Sequence, residues 1–229
     1  MKKRSKRYKE ILKSFKKDPS NIKDIVPVVK KNAIAKFDES IDATFRLDNK
    51  LSKKELNIRT ILNLPHGIAK KIKIAVICDD SKLNDAKNSE ADIVGSDDLI
   101  NEISNGKINF DKLVAAPNMM LKISKLGKIL GPKGLMPNPK LGTVTNNIKD
   151  AVKNLKAGQV ELKNDKDGNV LISIGKKSFP DEKIVNNYNF VLDAIKKEKP
   201  DNAKGNFILS SYVSSTMGIS YKIKNNARV

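Results

Sequence analysis

The chain has 229 residues, 39% of them hydrophobic, and its 45 Lys and Arg against 26 Asp and Glu leave a formal net charge of +19. That is apolar material enough for one large or two ordinary packed domains, with a charge that points to a polyanionic partner, nucleic acid before membrane. The single cysteine, Cys78, excludes an internal disulfide framework; no apolar run approaches a membrane span, and the opening MKKRSKRYKEILKSF turns polar too soon for a secretory leader, so a soluble, intracellular protein is expected.

Tyr8, Ile11, Leu12 and Phe15 recur at helical spacing, which predicts a helix over residues 5 to 17 with one apolar stripe and a basic opposite face. Ile22, Ile25, Val26 and Val29 predict a second helix behind a Ser20 cap, kinked where Pro27 removes an interior donor. From Phe37 the period becomes two. Phe37, Ile41, Ala43, Phe45 and Leu47 fall on one side of a half-buried strand, and Lys36, Asp38, Ser40, Asp42, Thr44 and Arg46 on the other. Glu39 lands on the apolar side, where a carboxylate requires a partner or a strand end. The stretch NIRTILNLPHG then reads as a strand stopped by Pro65 and Gly67.

The central segment has a different grammar: KKIKIAVIC, ADIVGS and KLVAAP are short runs separated by helical stretches, as in an open parallel sheet covered by helices. Cys78 ends the first of these as a buried, inert thiol. The last helix of the segment carries Ile148, Ala151, Val152 and Leu155 and stops at Gly158. The period of two then returns in QVELKNDKDGNVLISIG, read as a hairpin with an Asp-Gly turn. A helix through Ile184, Tyr188, Val191, Leu192 and Ile195 follows from Pro180, and NFILSSYVSST and ISYKIK give two closing strands. Neither outer segment builds a sheet core alone. The expected architecture is therefore α+β with an α/β insert: residues 1–66 plus 159–229 as a split domain, 67–158 as the inserted domain, and Gly67 and Gly158 as hinges.

The stretch KLGKILGPKGLMPNPKLGTVT, from Lys125 to Thr145, looks like a phosphate cradle but lacks the pattern of one. No Ser or Thr follows Lys133, and Pro132, Pro137 and Pro139 delete amide donors that an anion nest needs. After IAVIC the chain reads DDSKLNDAKN, with carboxylates where a dinucleotide's pyrophosphate would lie. His66 and Cys78 alone make no metal site or nucleophilic triad, and Asp79, Asp80, Asp97 and Asp98 read as helix and strand-end caps. No enzyme, cofactor or metal is expected. A phosphate-handling enzyme built on the Gly-Pro-Lys loop and a nonspecific RNA chaperone are the rival readings.

From Lys112 to Lys149 inclusive there are seven lysines and no Asp or Glu, a basic surface held on a Gly-Pro path suited to phosphate backbone. The same loop can equally pack Leu130, Leu135 and Met136 on its own sheet. Aromatic residues are only 5%, with no Trp, so base stacking is a weak candidate, and recognition of folded RNA by shape is the better one. SSYVSSTMG, residues 210 to 218, supplies small hydroxyls, Met217 and the close-approach residue Gly218.

The loop motif strongly resembles that of the large-subunit ribosomal protein L-one family, and the resemblance continues in AKFDES, LPHG, ADIVGSDDLI, KAGQVELKNDKDGNV, KGNF and SSTMG, in order along nearly the whole chain. It implies a split α+β domain around a Rossmann-like, three-layer α/β/α insert. It implies a non-enzymatic constituent of the cytoplasmic ribosome, or of an organellar one, monomeric when free. Its partners would be the stalk region of large-subunit ribosomal RNA, exit-site tRNA and its own operon mRNA, which it would repress. The matching RNA-binding positions are Lys36, Phe37, Ser210, Thr216, Met217 and Gly218, with Glu39 and Ser40 beside them. Lys125, Lys128, Lys133, Lys140 and Lys163 are secondary candidates. Ile219 stands where many relatives carry Pro.

Overall fold

Alternation of apolar side chains builds the principal sheet in the computed structural model, which describes residues 6–13, 21–48, 58–68, 72–79, 83, 86, 88–200 and 205–224. The chain divides into two compact units, residues 1–69 with 161–229, and residues 70–160.

In the first unit, β1 (Ser40–Leu47) buries Ile41, Ala43, Phe45 and Leu47. It lies between β7 (Asn169–Lys176) and β8 (Ile208–Ser215), and β9 (Tyr221–Ile223) completes a four-stranded antiparallel sheet in the order β7-β1-β8-β9. Helices α2 (Ile22–Asn32) and α7 (Asp181–Lys197) pack on the face that carries these side chains. Tyr188 of α7 stacks on Phe45, with ring centroids 5.4 Å apart, and its hydroxyl donates to Ser211 Oγ at 2.9 Å. A bulky aromatic with a polar tip is thereby buried with that tip satisfied. Lys30 of α2 binds Phe179 O and Asp181 at the start of α7, fixing the two helices' approach.

Three expectations are corrected here. The strand begins at Ser40, not at Phe37, so Phe37 leaves the apolar face and is 53% exposed. The alternation before residue 40 had no ladder to enforce it. The cap of helix α2, which contains Pro27, is Asn21, whose carbonyl accepts from Asp24 and Ile25; Ser20 lies outside the described residues, as does Phe15 beyond α1 (Lys6–Lys13).

The third correction is the hairpin. Its turn is present, with Gly168 at φ 79°, but its arms diverge: β6 (Gln159–Lys163) pairs with β2 (Arg59–Asn63), while β7 pairs with β1. A single bridge, Asn164 to Val170, joins them. Asp165 holds the turn by accepting from the Asn169 amide at 2.7 Å and the Asp167 amide at 2.9 Å. These bonds, the Asn169 amide first, keep its carboxyl below the usual carboxylate range. A group with a lowered folded pKa stabilises fully above its unfolded pKa, and that support is lost as pH falls through the folded value. Acid titration of the melting temperature should show this loss, and Asp165→Asn should blunt it; identical profiles would mean the turn adds nothing.

In the second unit a three-stranded parallel sheet has the order β4-β3-β5, from β3 (Ile74–Ile77), β4 (Ile93–Gly95) and β5 (Lys112–Ala115). Every residue of β3 is buried, because both faces are covered. Ala75 and Ile77 pack with Leu99 and Ile103 of α3 (Asp97–Ser104) and Ile123 of α4 (Met120–Ser124), whereas Ile74 and Val76 pack with Ile148, Val152 and Leu155 of α6 (Ile148–Lys156). Helix α6 ends two residues before Gly158, which has φ 98°. Cys78 is buried. Among the described residues no helix is long and apolar enough to cross a membrane.

Candidate nucleic-acid interface

At the end of the principal sheet, the loop 33–39 and the turn after β8 meet across β1. The register pairs Ile41 with Ser215, which sets Ser40 against Thr216. The Thr216 hydroxyl accepts from the Ser40 amide at 3.0 Å and donates to the Ser40 carbonyl at 3.3 Å, and the Thr216 amide donates to that same carbonyl at 3.1 Å. Thr216 is therefore a latch between two strand ends.

Glu39 lies beneath this latch, 1% exposed. Its Oε1 accepts from the Ala35 amide at 2.8 Å and its Oε2 from the Met217 amide at 3.1 Å. One carboxylate thus ties the loop to the turn, with charge-assisted bonds that compensate its burial. From the other side, Lys177 N–H donates to Glu39 O at 2.8 Å and the Ser178 hydroxyl to Asp38 at 2.8 Å. A backbone pinned this way presents Lys36, Phe37 and Met217 outward, all exposed, with Met217 at 52%.

The structure thus brings together Lys36, Phe37, Ser40, Thr216, Met217 and Gly218, and sets Glu39 inside as their brace, out of reach of a ligand. Ser210 does not join them. It pairs with Arg46, five residues down β8 from Ser215, about 17 Å away at strand rise. Of the other hydroxyls in the SSYVSSTMG stretch, Ser211 and Ser215 point into the core. Ile34, 56% exposed, stands in the same loop as Phe37; nothing in its sequence surroundings set it apart from a buried strand residue.

Gly218 has an ordinary backbone, so its requirement is steric: a Cβ there would stand 2.4 Å from Ser215 Oγ. Gly218→Ala should destabilise the chain by about 1 to 2 kcal/mol, as overpacking does, and Ser215→Ala in the same chain should restore most of it by removing the clashing atom. Additive losses in a urea-denaturation cycle would exclude this contact as the cause.

The basic loop of the second unit packs on its own sheet and keeps its lysines exposed. Leu130 is buried, and Leu135 and Met136 pack against the same cluster. Asn138 and Thr143 close the path, the Thr143 hydroxyl accepting from the Asn138 amide at 2.8 Å, and Gly134 and Gly142 take φ values of 67° and 65°. Lys125, Lys128, Lys133 and Lys140 stay exposed on this frame, as does Lys163 on β6. Lys122 instead pairs with Asp97 at 2.7 Å.

Ligands of open parallel sheets bind beyond the strand C-termini where the order reverses, here beside β3 and β5. That position is bridged by Asn118 Nδ2 donating to Asp79 Oδ2 at 3.0 Å. Among the described residues no His, Cys, Asp or Glu group could hold a metal ion.

A family model described as the Ribosomal protein L1p/L10e family matches residues 29–219. The chain is 52% identical over 222 residues to the large ribosomal subunit protein uL1 of Pelagibacter ubique (strain HTCC1062), spanning 96% of this chain and 97% of that one. It is 46% identical over 224 residues to the protein of the same name from Kosmotoga olearia (strain ATCC BAA-1733 / DSM 21960 / TBF 19.5.1), at 97% of each chain. With that of Prochlorococcus marinus (strain NATL1A) it shares 42% identity over 226 residues, 99% of this chain and 96% of the relative.

Proposed function

The chain belongs to the Ribosomal protein L1p/L10e family, a family of ribosomal proteins and not of enzymes, and from that premise we propose that it is a constituent of the large ribosomal subunit whose edge at residues 36–40 and 215–218 lies against folded ribosomal RNA. The observation that carries this reading is the pinned edge itself. Glu39 and Thr216 fix the backbone before any ligand arrives, so Phe37, Met217 and Gly218 meet RNA as a preformed shape with little left to order. The exposed lysines of the second unit supply long-range, sequence-independent attraction.

The site is the stalk region of large-subunit ribosomal RNA, and the protein helps release deacylated tRNA at the exit site. A similar RNA fold in its own operon mRNA would make it a translational repressor. The two units are domains of one monomer hinged at Gly67 and Gly158, and the protein works on the cytoplasmic ribosome. A stalk RNA fragment should bind more tightly than its scrambled counterpart. Thr216→Val should weaken it about tenfold, while Thr216→Ser, which keeps the hydroxyl latch, should not. Equal affinity for both RNAs would sink the specific site and leave a nonspecific chaperone.

A further inference from the structure

Away from that edge, on the second unit, α6 carries Lys149, Lys153 and Lys156 into an open cleft of about 350 Å³ completed by Asn88, Ser89 and Glu90. The spacing i, i+4, i+7 aligns the three ammoniums along roughly 10 Å of helix. Among the described residues, no side chain pairs with the Lys149 or Lys153 ammonium. The acid nearest in sequence, Asp150, lies three positions before Lys153 on a neighbouring part of the helix surface and is engaged by Asn147 Nδ2 at 2.6 Å.

The opposite wall is a strained turn. Glu90 has φ 59°, the single non-glycine residue in the left-handed region among the described residues, a conformation that persists where its surroundings impose it. What imposes it is visible: Lys156 Nζ donates to the Glu90 carbonyl, and the Ser89 amide and hydroxyl both donate to Ala86 O, at 3.1 and 2.6 Å. The Glu90 carboxylate, 84% exposed, stands 3.7 Å from Lys156. It is a weakly held anion at the end of a row of cations that no other described acid engages.

We propose that this cleft binds the phosphodiester backbone of RNA, with Lys149, Lys153 and Lys156 on successive phosphates and Glu90 displaced from Lys156. The chemistry selects backbone over base. The cleft holds no aromatic ring for stacking and no guanidinium for a forked contact, and lysine meets phosphate as a point charge without reading sequence. An open row of charges fits a strand that passes through better than a small enclosed ligand. The inference rests on the RNA-binding reading above only for the polymer's presence, since the cleft contributes position and affinity but no selectivity.

Amide chemical shifts of the full-length chain, titrated with a stalk RNA fragment and separately with sodium tripolyphosphate, test both readings apart. Perturbation at 88–90 and 149–156 with RNA supports the cleft, whereas perturbation at 36–40 and 215–218 alone overturns it and leaves the edge standing. Perturbation of the cleft alone would support this site and sink the edge. Tighter binding of tripolyphosphate than of RNA at the cleft would overturn the RNA assignment in favour of a small-phosphate site.

In affinity measurements, Lys149→Gln with Lys153→Gln should lower the slope of log affinity against log salt by about 1.5. Lys73→Gln with Lys107→Gln, an equal charge change at exposed positions of the same unit, should lower it by less than half as much. Glu90→Gln should raise affinity. Equal slopes for the two pairs, or no gain from Glu90→Gln, would reduce the cleft to ordinary solvated lysines.

Discussion

Replacing Asn187 by alanine is expected to lower the stability of the chain by about 2 to 4 kcal/mol and its melting temperature by on the order of 10 °C. The side chain is fully buried in α7. Its Nδ2 donates to Ile174 O at 2.8 Å and to Gly67 O at 3.1 Å, and its Oδ1 accepts from the His66 amide at 3.3 Å. One amide thus satisfies three backbone groups on two segments, and removing it leaves the Ile174 carbonyl without its donor inside the core. Asn187→Asp should be at least as harmful, because a carboxylate donates to neither carbonyl. Hydrogen exchange should quicken at residues 66 to 68 in both variants. If Asn187→Asp melted with the wild type, the amide donors would be dispensable and this account wrong.

Asn187 also marks where sequence reading stopped. The stripe Ile184, Tyr188, Val191, Leu192, Ile195 identified the buried face of α7; Leu192 is half-buried and the other four are buried. Asn187 lies one position before Tyr188 on that same face, yet a polar residue in an apolar stripe reads as exposed until its partners are known. Two of those partners, His66 and Gly67, are distant in the chain, and no local period reports a bond across more than a hundred residues. The same limit explains the diverging arms of the Asp-Gly turn. Alternation marks a strand and its faces, while the choice of neighbour is made by the whole sheet.

The candidate site was legible where chemistry was local and misread where depth mattered. Gly218 and Met217 stand out as residue types, Phe37 enters through the family resemblance, and the structure places all three at one edge. Ser210 enters only through the family resemblance, and the structure sets it about 17 Å down the strand from Ser215, because five residue rises separate them. Asp42, on the outer face opposite Ser173, shows the depth problem again. Burial pushes its carboxyl above the usual range, and the Ser173 hydroxyl beside it only partly offsets this.

Glu39→Gln decides whether the acidic residue at that edge touches RNA or supports it. The carboxylate accepts one amide hydrogen on each oxygen, so the glutamine keeps one acceptor and turns an NH2 group toward the other donor. Charged-acceptor bonds are each worth about 1.5 to 3 kcal/mol, and the substitution should destabilise the chain by about 2 to 3 kcal/mol. RNA affinity should fall roughly tenfold as Met217 and the loop 33–39 lose their common anchor. The sign of the affinity change carries the argument. Deleting a negative charge beside a polyanion would by electrostatics alone tighten binding, and only loss of a preformed backbone loosens it. Unchanged melting with altered affinity would place Glu39 in direct contact with RNA, whereas a lowered melting temperature together with weakened binding identifies it as the brace that gives the edge its shape.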